Sequence, residues 1–275
     1  MESLFENCYS LELINLLQSY MISINKEKNT FYNVNEFSFI VMKGIPAVIR
    51  KTVWTLFVGN QFYLTNNIID IYASQIEKVN FNLCIELYDK DKSKPITGEY
   101  PTNKIIKDII KATKFYAAEI EESKLNKIEL MENIFQLVRS FCFLRPDTFY
   151  SSCLVNICLI LFLQGFEKYE NFILMCNLVL KSPLMNFLTR DNAYIHFCSE
   201  FFDNLLKKYV PDVYTHFSKL GISPSLFFAT WYETLFFAKF NYANTVKVLN
   251  SFIFKGERII FQTGLVLFSL QKDDF

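Results

Sequence analysis

Lys43 to Asn60 reads KGIPAVIRKTVWTLFVGN. Gly44 frees the backbone for a turn, and Pro46 suits the first helical position, where no amide hydrogen is needed. Val48, Ile49, Val53, Trp54, Phe57 and Val58 then recur at helical spacing, and Gly59-Asn60 supplies a C-terminal stop. The stretch predicts one buried helix.

The same periodicity extends in both directions. Upstream, Leu11, Ile14, Leu16, Leu17, Tyr20 and Met21 give an apolar face to a helix over Ser10 to Ile22. Its acidic flank (Glu2, Glu6, Glu12) argues for a packed extension over residues 1–35 and against an anionic lipid surface. Downstream, Ile68, Ile69, Ile71, Tyr72 and Ile76 outline a second helix. Asp89 to Lys104 (DKDKSKPITGEYPTNK), within a loop region placed at 81–104, is polar and holds two prolines and a glycine. Helices are then expected over Lys104 to Glu122, Leu125 to Phe143, Thr148 to Gln164 and Asp191 to Tyr209. The last of these carries a stripe of Tyr194, Ile195, Cys198, Phe201, Phe202, Leu205 and Leu206. Ser223-Pro224 reads as an N-cap and first-turn proline opening a helix through Phe237. Thr245 to Phe254, stopped by Gly256, and Glu257 to Leu270 complete the set. Strand alternation is sparse and no Asn-Gly or Asp-Gly turn occurs, so the expected fold class is all-α.

Composition narrows the function. Of 275 residues, 51% are hydrophobic and 17% aromatic, enough for a large core. Lys+Arg 28 balance Asp+Glu 28, without the basic excess of a nucleic-acid binder. The seven cysteines form no Cys-x-x-Cys pair and sit mostly in apolar runs, which points to a reduced, intracellular setting. With only His196 and His216, neither a multi-histidine metal site nor a Cys-His dyad is expected, and no cofactor is implied. The chain opens without a basic stretch feeding an apolar segment, so no secretory signal is read. The most apolar run, Cys153 to Gly165, is shorter than the ~20 residues of a membrane crossing and is interrupted by Asn156. A buried core helix is expected there, not a transmembrane segment.

The opening stretch also resembles a known pattern, K-G-I-P-x-x-x-R-x-x-x-W, matched by Lys43, Gly44, Ile45, Pro46, Arg50 and Trp54. It begins the TBC domain, the helical module that stimulates GTP hydrolysis by Rab-type small GTPases. Leu205 to Gly221 resembles the family's proline-started helix followed by histidine and glycine, and Trp231 and Phe236 take the places of its W-x-x-x-x-F. Lys255 to Leu270 is similar to its closing helix. Leu249-Asn250 stands where the family usually has Trp-Asp; Phe252 and Phe254 are expected to refill that space. The resemblance implies two packed helical lobes over 36–271, divided near 181, with Arg50 paired to a nearby acid and Trp54 packed.

Family members act through an arginine in I-x-x-D-x-x-R and a glutamine in Y-x-Q. The first motif falls on Ile105 to Lys111, keeping Ile105 and Asp108 but placing Lys111 at the finger. No arginine occurs between Arg50 and Arg139. The second falls on Tyr150-Ser151-Ser152, behind the L-R-P-D of Leu144 to Asp147, with Ser152 at the glutamine position. An arginine finger contributes on the order of 10³ to 10⁵ in rate. Lysine is a compact charge without a bidentate fork, and serine is too short to reach where a carboxamide would sit. Three readings stay open: a weak activator using Lys111, a domain that binds a GTPase without accelerating it, and a helical scaffold with no GTPase partner. Under the first two, Asp108, Arg145, Asp147, Tyr150 and Ser151 would meet the GTPase, whose GTP and Mg²⁺ the partner carries. The local readings are an Arg145–Asp147 pair, a Ser151-Ser152 helix cap, and an Asp108 that supports the groove. The resemblance further implies a cytoplasmic protein, brought to endomembranes only through its partners.

Overall fold

The computed structural model describes residues 44–93, 96, 101–237 and 239–271, and in it Gly44-Ile45-Pro46 leads into a helix. This helix, α1, spans Ala47–Val58 behind Pro46, and Gly59 closes it at φ 65°, where a side chain would be strained. Ile49, Val53, Trp54 and Val58 are buried, but Val48 is 87% exposed. At about 100° per residue, Val48 lies opposite the arc from Ile49 to Val58, so it leaves the expected stripe. Lys43, Cys8, the Ser10 to Ile22 helix and the 1–35 extension lie outside the described residues.

Helices α2 (Asn66–Ala73), α3 (Phe81–Lys90), α4 (Thr102–Phe115), α5 (Ala117–Glu122), α6 (Lys127–Leu144), α7 (Ser152–Leu163) and α8 (Lys168–Lys181) follow. The second group is α9 (Leu184–Leu188), α10 (Asn192–Tyr209), α11 (Pro211–Lys219), α12 (Ser225–Thr234), α13 (Tyr242–Lys255) and α14 (Arg258–Leu270). Among the described residues there is no strand.

Packing divides these helices into two lobes around one continuous core. In the first, α4, α6 and α7 pack against one another, with α2 against α6 and α8 against α7. Cys153 to Leu161 are all buried, which makes α7 the central rod. Such a helix is apolar all round because it has no solvent face. In the second lobe, α10 packs on α11, α12 and α14, and α13 packs on α14. The lobes meet where α12 touches α7 and where α1 lies against both α8 and α13.

Several expectations need correction. Residues 81–90 are helical, not loop: Asn80 caps α3 by accepting from the Leu83 amide, and Phe81, Cys84 and Tyr88 are buried. The expected Lys104 to Glu122 helix breaks at Tyr116 into α4 and α5. Helix α2 ends at Ala73, buries Ile69 and leaves Ile71 exposed. Helix α7 starts at Ser152 instead of Thr148, because Arg145 to Thr148 close a proline turn through Thr148 N–H to the Arg145 carbonyl. On α10, Cys198, Phe202 and Leu206 are buried while Phe201 is exposed. Ser223 does not cap α12; its hydroxyl lies 2.9 Å from Asp203 Oδ2 and donates to it. Helix α12 ends at Thr234, short of Phe237, because Leu235 and Phe236 both turn to positive φ. Helices α8 and α9 occupy a stretch to which periodicity assigns nothing.

Candidate functional site

Helix α4 buries Ile105, Ile106, Ile109 and Ile110 on one face, which leaves Lys104, Lys107, Asp108 and Lys111 along its rim. The Asp108 side chain is only 14% exposed, whereas that of Lys111 is 61% exposed. Lys111 Nζ lies 3.8 Å from Asp108 Oδ1, one helical turn away. On its other oxygen, Asp108 accepts a 3.0 Å hydrogen bond from the Tyr150 hydroxyl. Burial raises the Asp108 carboxyl above its usual range, against the lowering pull of Tyr150, Lys111 and Lys104. Tyr150 is itself buried, and burial together with the Asp108 charge pushes its phenol well up. It stays a hydrogen-bond donor. Lys104 Nζ sits 5.5 Å from the centre of the Tyr150 ring.

The segment leading to Tyr150 is tied down at each step. Arg145 follows α6 as its C-cap and grips Asp147 with two hydrogen bonds, Nε to Oδ1 at 2.8 Å and Nη2 to Oδ2 at 2.7 Å. The arginine fork matches a carboxylate in this way. The bonds hold the Asp147 carboxyl below its usual range and raise the Arg145 guanidinium. Phe149 N–H donates to the Leu188 carbonyl at 2.7 Å, and the Arg190 guanidinium lies 4.1 Å above the Phe149 ring. Ser151 caps α7 by accepting from the Cys153 amide, and its hydroxyl donates to the Glu233 carbonyl of α12 at 3.4 Å. At 1% exposure, Ser151 presents no surface to a partner. Ser152 is the first residue of α7, half-buried, with its carbonyl accepting from the Asn156 amide at 2.8 Å.

Lys111, Asp108 and Tyr150 are thus directly linked, and Ser152 stands two residues past Tyr150. The opening motif lies apart from this cluster. Ile45 is buried beside Ile49 and Val53, behind Gly44 and Pro46. Among the described residues Arg50 pairs with no acid: its Nε and Nη2 donate to the Ile45 carbonyl, and Nη1 donates to Gln164 Oε1 at 2.7 Å. Burial lowers its pKa. It locks the turn before α1 to the end of α7. Trp231 packs among Phe227, Phe236 and Phe268, with its ring 5.5 Å from that of Phe236. Lys104 and Arg190 escape motif reading, because each meets the site through an aromatic ring distant in sequence.

Little else near the cluster is reactive. Burial pushes the Cys153 thiol up to about 12 and Cys142 to about 11, so neither supplies a thiolate near neutrality. Among the described residues, no group of three or more His, Cys, Asp or Glu could hold a metal ion. Among them, too, no helix is long and apolar enough to cross a membrane. His196 is exposed on α10, with Nδ1 3.9 Å from Glu200. What remains is a charged rim over a buried hydroxyl–carboxylate link, suited to gripping an anionic or polar surface.

Comparison with known proteins bears on the family and the fold. A family model described as the Rab-GTPase-TBC domain matches residues 47–275. The Drosophila melanogaster protein "TBC1 domain family member whacked" is 24% identical over 260 residues, covering 89% of this chain and 64% of that protein. Human "TBC1 domain family member 14" is 23% identical over 234 residues, 84% of this chain and 33% of its own length. "GTPase-activating protein GYP5" of Eremothecium gossypii is 22% identical over 218 residues, 78% of this chain and 26% of that protein. The chain therefore spans less than two thirds of each of these relatives. The crystal structure of the Chlamydomonas flagellar RabGAP TBC domain superposes with a TM-score of 0.63 at 16% identity, covering 98% of this chain and 82% of that one.

Proposed function

The chain belongs to the Rab-GTPase-TBC domain family, and from that premise we propose that it docks a GTP-loaded Rab-type GTPase on the face carrying Lys111 and Ser152. We infer that it stimulates hydrolysis far less than a domain with arginine and glutamine at those positions, or not at all. The single observation that supports this reading is the Tyr150–Asp108 hydrogen bond. It couples the helix of position 111 to the segment of position 152 and keeps a rigid docking face although both finger side chains are changed.

Each residue then has a role. Lys111 offers a mobile point charge to the partner's phosphates, without the fork that spans two oxygens. Ser152 leaves water positioning to the GTPase's own side chains. Asp108 and Tyr150 hold the face in register, and the Arg145–Asp147 turn sets the approach of the segment. GTP and Mg²⁺ arrive with the partner, and attachment to endomembranes follows from the GTPase, in a cytoplasmic protein.

Retention of purified Rab-type GTPases on the immobilised chain tests the docking. Selective retention of GTP-loaded over GDP-loaded forms is expected. Equal indifference to both forms across a broad Rab panel would leave a helical scaffold as the better description.

A further inference from the structure

Among the guanidinium groups of this chain, one rests on a ring beside the docking face with its N–H groups uncommitted among the described residues. Arg50 is bound to the Ile45 carbonyl and Gln164. Arg145 is held by Asp147. Arg139 lies over Phe143, a ring stacked on Tyr72 of α2, and Arg258 is on α14. Arg190 is the remaining one of the five in the sequence. It is exposed, and its guanidinium rests 4.1 Å from the centre of the Phe149 ring. Among the described residues no carboxylate pairs with it. Asp191, the nearest acid in sequence, is occupied in capping α10 through the Tyr194 amide.

The setting is fixed from both sides. Phe149 N–H donates to the Leu188 carbonyl, so the ring and the Leu188–Arg190 turn are tied at two points. Arg190 has φ 55°, a conformation that costs a non-glycine residue energy and persists where its surroundings impose it. Asp191 N–H to the Asn186 carbonyl, at 2.8 Å, is part of what imposes it. Phe149 immediately precedes Tyr150, whose hydroxyl reaches the carboxylate that faces Lys111. A planar cation on an aromatic face keeps its N–H edges available.

We propose that Arg190, carried on Phe149 from the second lobe, supplies to the partner's transferring phosphoryl group the guanidinium that position 111 lacks. This rests on the docking reading above and adds to it the source of residual stimulation. In the partner's reaction a water oxygen bonds to the γ-phosphorus as the bond to the β,γ-bridging oxygen breaks. GDP leaves with that electron pair, and the water proton ends on the released phosphate. Arg190 contributes charge stabilisation to the phosphoryl oxygens and exchanges no proton.

The test uses the full chain and a panel of purified Rab-type GTPases, measuring single-turnover GTP hydrolysis and, separately, affinity for the same GTPases loaded with a non-hydrolysable GTP analogue. Arg190→Ala is expected to lower stimulation at least about tenfold, a smaller step than the ~10³-fold of a fully engaged arginine finger because the wild-type stimulation is itself weak. Affinity should change less than threefold, and Arg190→Lys should fail to restore the rate. The thermal melt should move little, since the side chain is exposed and gives up only its contact with the Phe149 ring. Unaltered stimulation in both variants overturns the assignment and leaves docking standing. So does a wild-type chain that binds without stimulating, and so does an equal loss of rate and affinity, which marks a docking contact only. A chain that retains no GTP-loaded Rab ends both readings.

Discussion

Trp54 donates its indole N–H to Asn250 Oδ1 at 2.9 Å, joining α1 to α13 inside the core. The bond explains why the asparagine at the family's aspartate position is compatible with this fold. A neutral amide satisfies the indole without burying a charge, while Leu249 and Phe252 are buried around it. Phe254 packs against the same core while partly exposed, and meets Phe57 edge-on at 4.3 Å. Asn250→Ala removes the acceptor and leaves a buried N–H unpaired, a cost of about 1–3 kcal/mol. Urea unfolding at neutral pH should register that loss. An unchanged midpoint would mean that the bond contributes nothing net.

Gly264 on α14 is a second point where one atom decides stability. A Cβ built there would stand 2.9 Å from Phe202 Cε2 and 3.4 Å from Phe228 Cδ2. Those two rings are stacked at 4.1 Å, and Phe261 lies 4.8 Å from Phe228, so neither ring has room to retreat. Alanine in place of glycine gains about 1 kcal/mol of helix propensity. Overpacking in a filled core costs typically about 1–3 kcal/mol, so the net expectation is destabilisation. Gly264→Ala should lower the thermal midpoint and Gly264→Val should lower it further; a raised midpoint for Gly264→Ala would mean the rings yield easily.

The contrast between helices shows what sequence alone can reveal. Helices α1, α6 and α10 are legible because each keeps a polar side against which an apolar stripe stands out. Helix α8 is hidden for the opposite reason. Asn171, Phe172, Leu174, Met175, Cys176, Asn177, Leu178 and Val179 are all buried, so no period of 3.6 survives. Its N-terminal signal is present nevertheless, in the capping box of Glu167 and Glu170. The site divides in the same way. The Arg145–Asp147 pair is local and can be anticipated from spacing, whereas the Asp108–Tyr150 and Phe149–Arg190 contacts depend on how distant helices pack. Arg50 shows the limit of charge matching, since a carbonyl and an amide take the place of the expected acid.

Asp108 should shape the pH dependence of stability. Its carboxyl titrates above the unfolded value because it is buried, so across that interval the folded chain binds more protons than the unfolded one. Stability from this group therefore falls as pH rises through the interval, and it is greatest below the usual aspartate range. Asp108→Asn keeps an acceptor for the Tyr150 hydroxyl and removes the ionisation. Urea titrations from mildly acidic to neutral pH should show a downward slope in the wild-type chain that is smaller in the variant. Parallel slopes would assign the dependence to other groups.

Restoring the two finger side chains tests the docking face as a whole. Lys111→Arg puts a planar fork on an exposed α4 position that is already oriented by Asp108. Ser152→Gln puts a carboxamide at the start of α7, where the half-buried serine makes no hydrogen bond through its hydroxyl among the described residues. Neither change disturbs a core residue, so folding should be preserved. If the face binds GTP-loaded Rab as proposed, the double variant should raise single-turnover hydrolysis by about 10³-fold or more, the scale of a supplied arginine finger. Each single change should give less than the pair, because charge stabilisation and water positioning act on the same transition state. A double variant that still binds the GTPase but gains nothing would show that positions 111 and 152 do not reach the nucleotide.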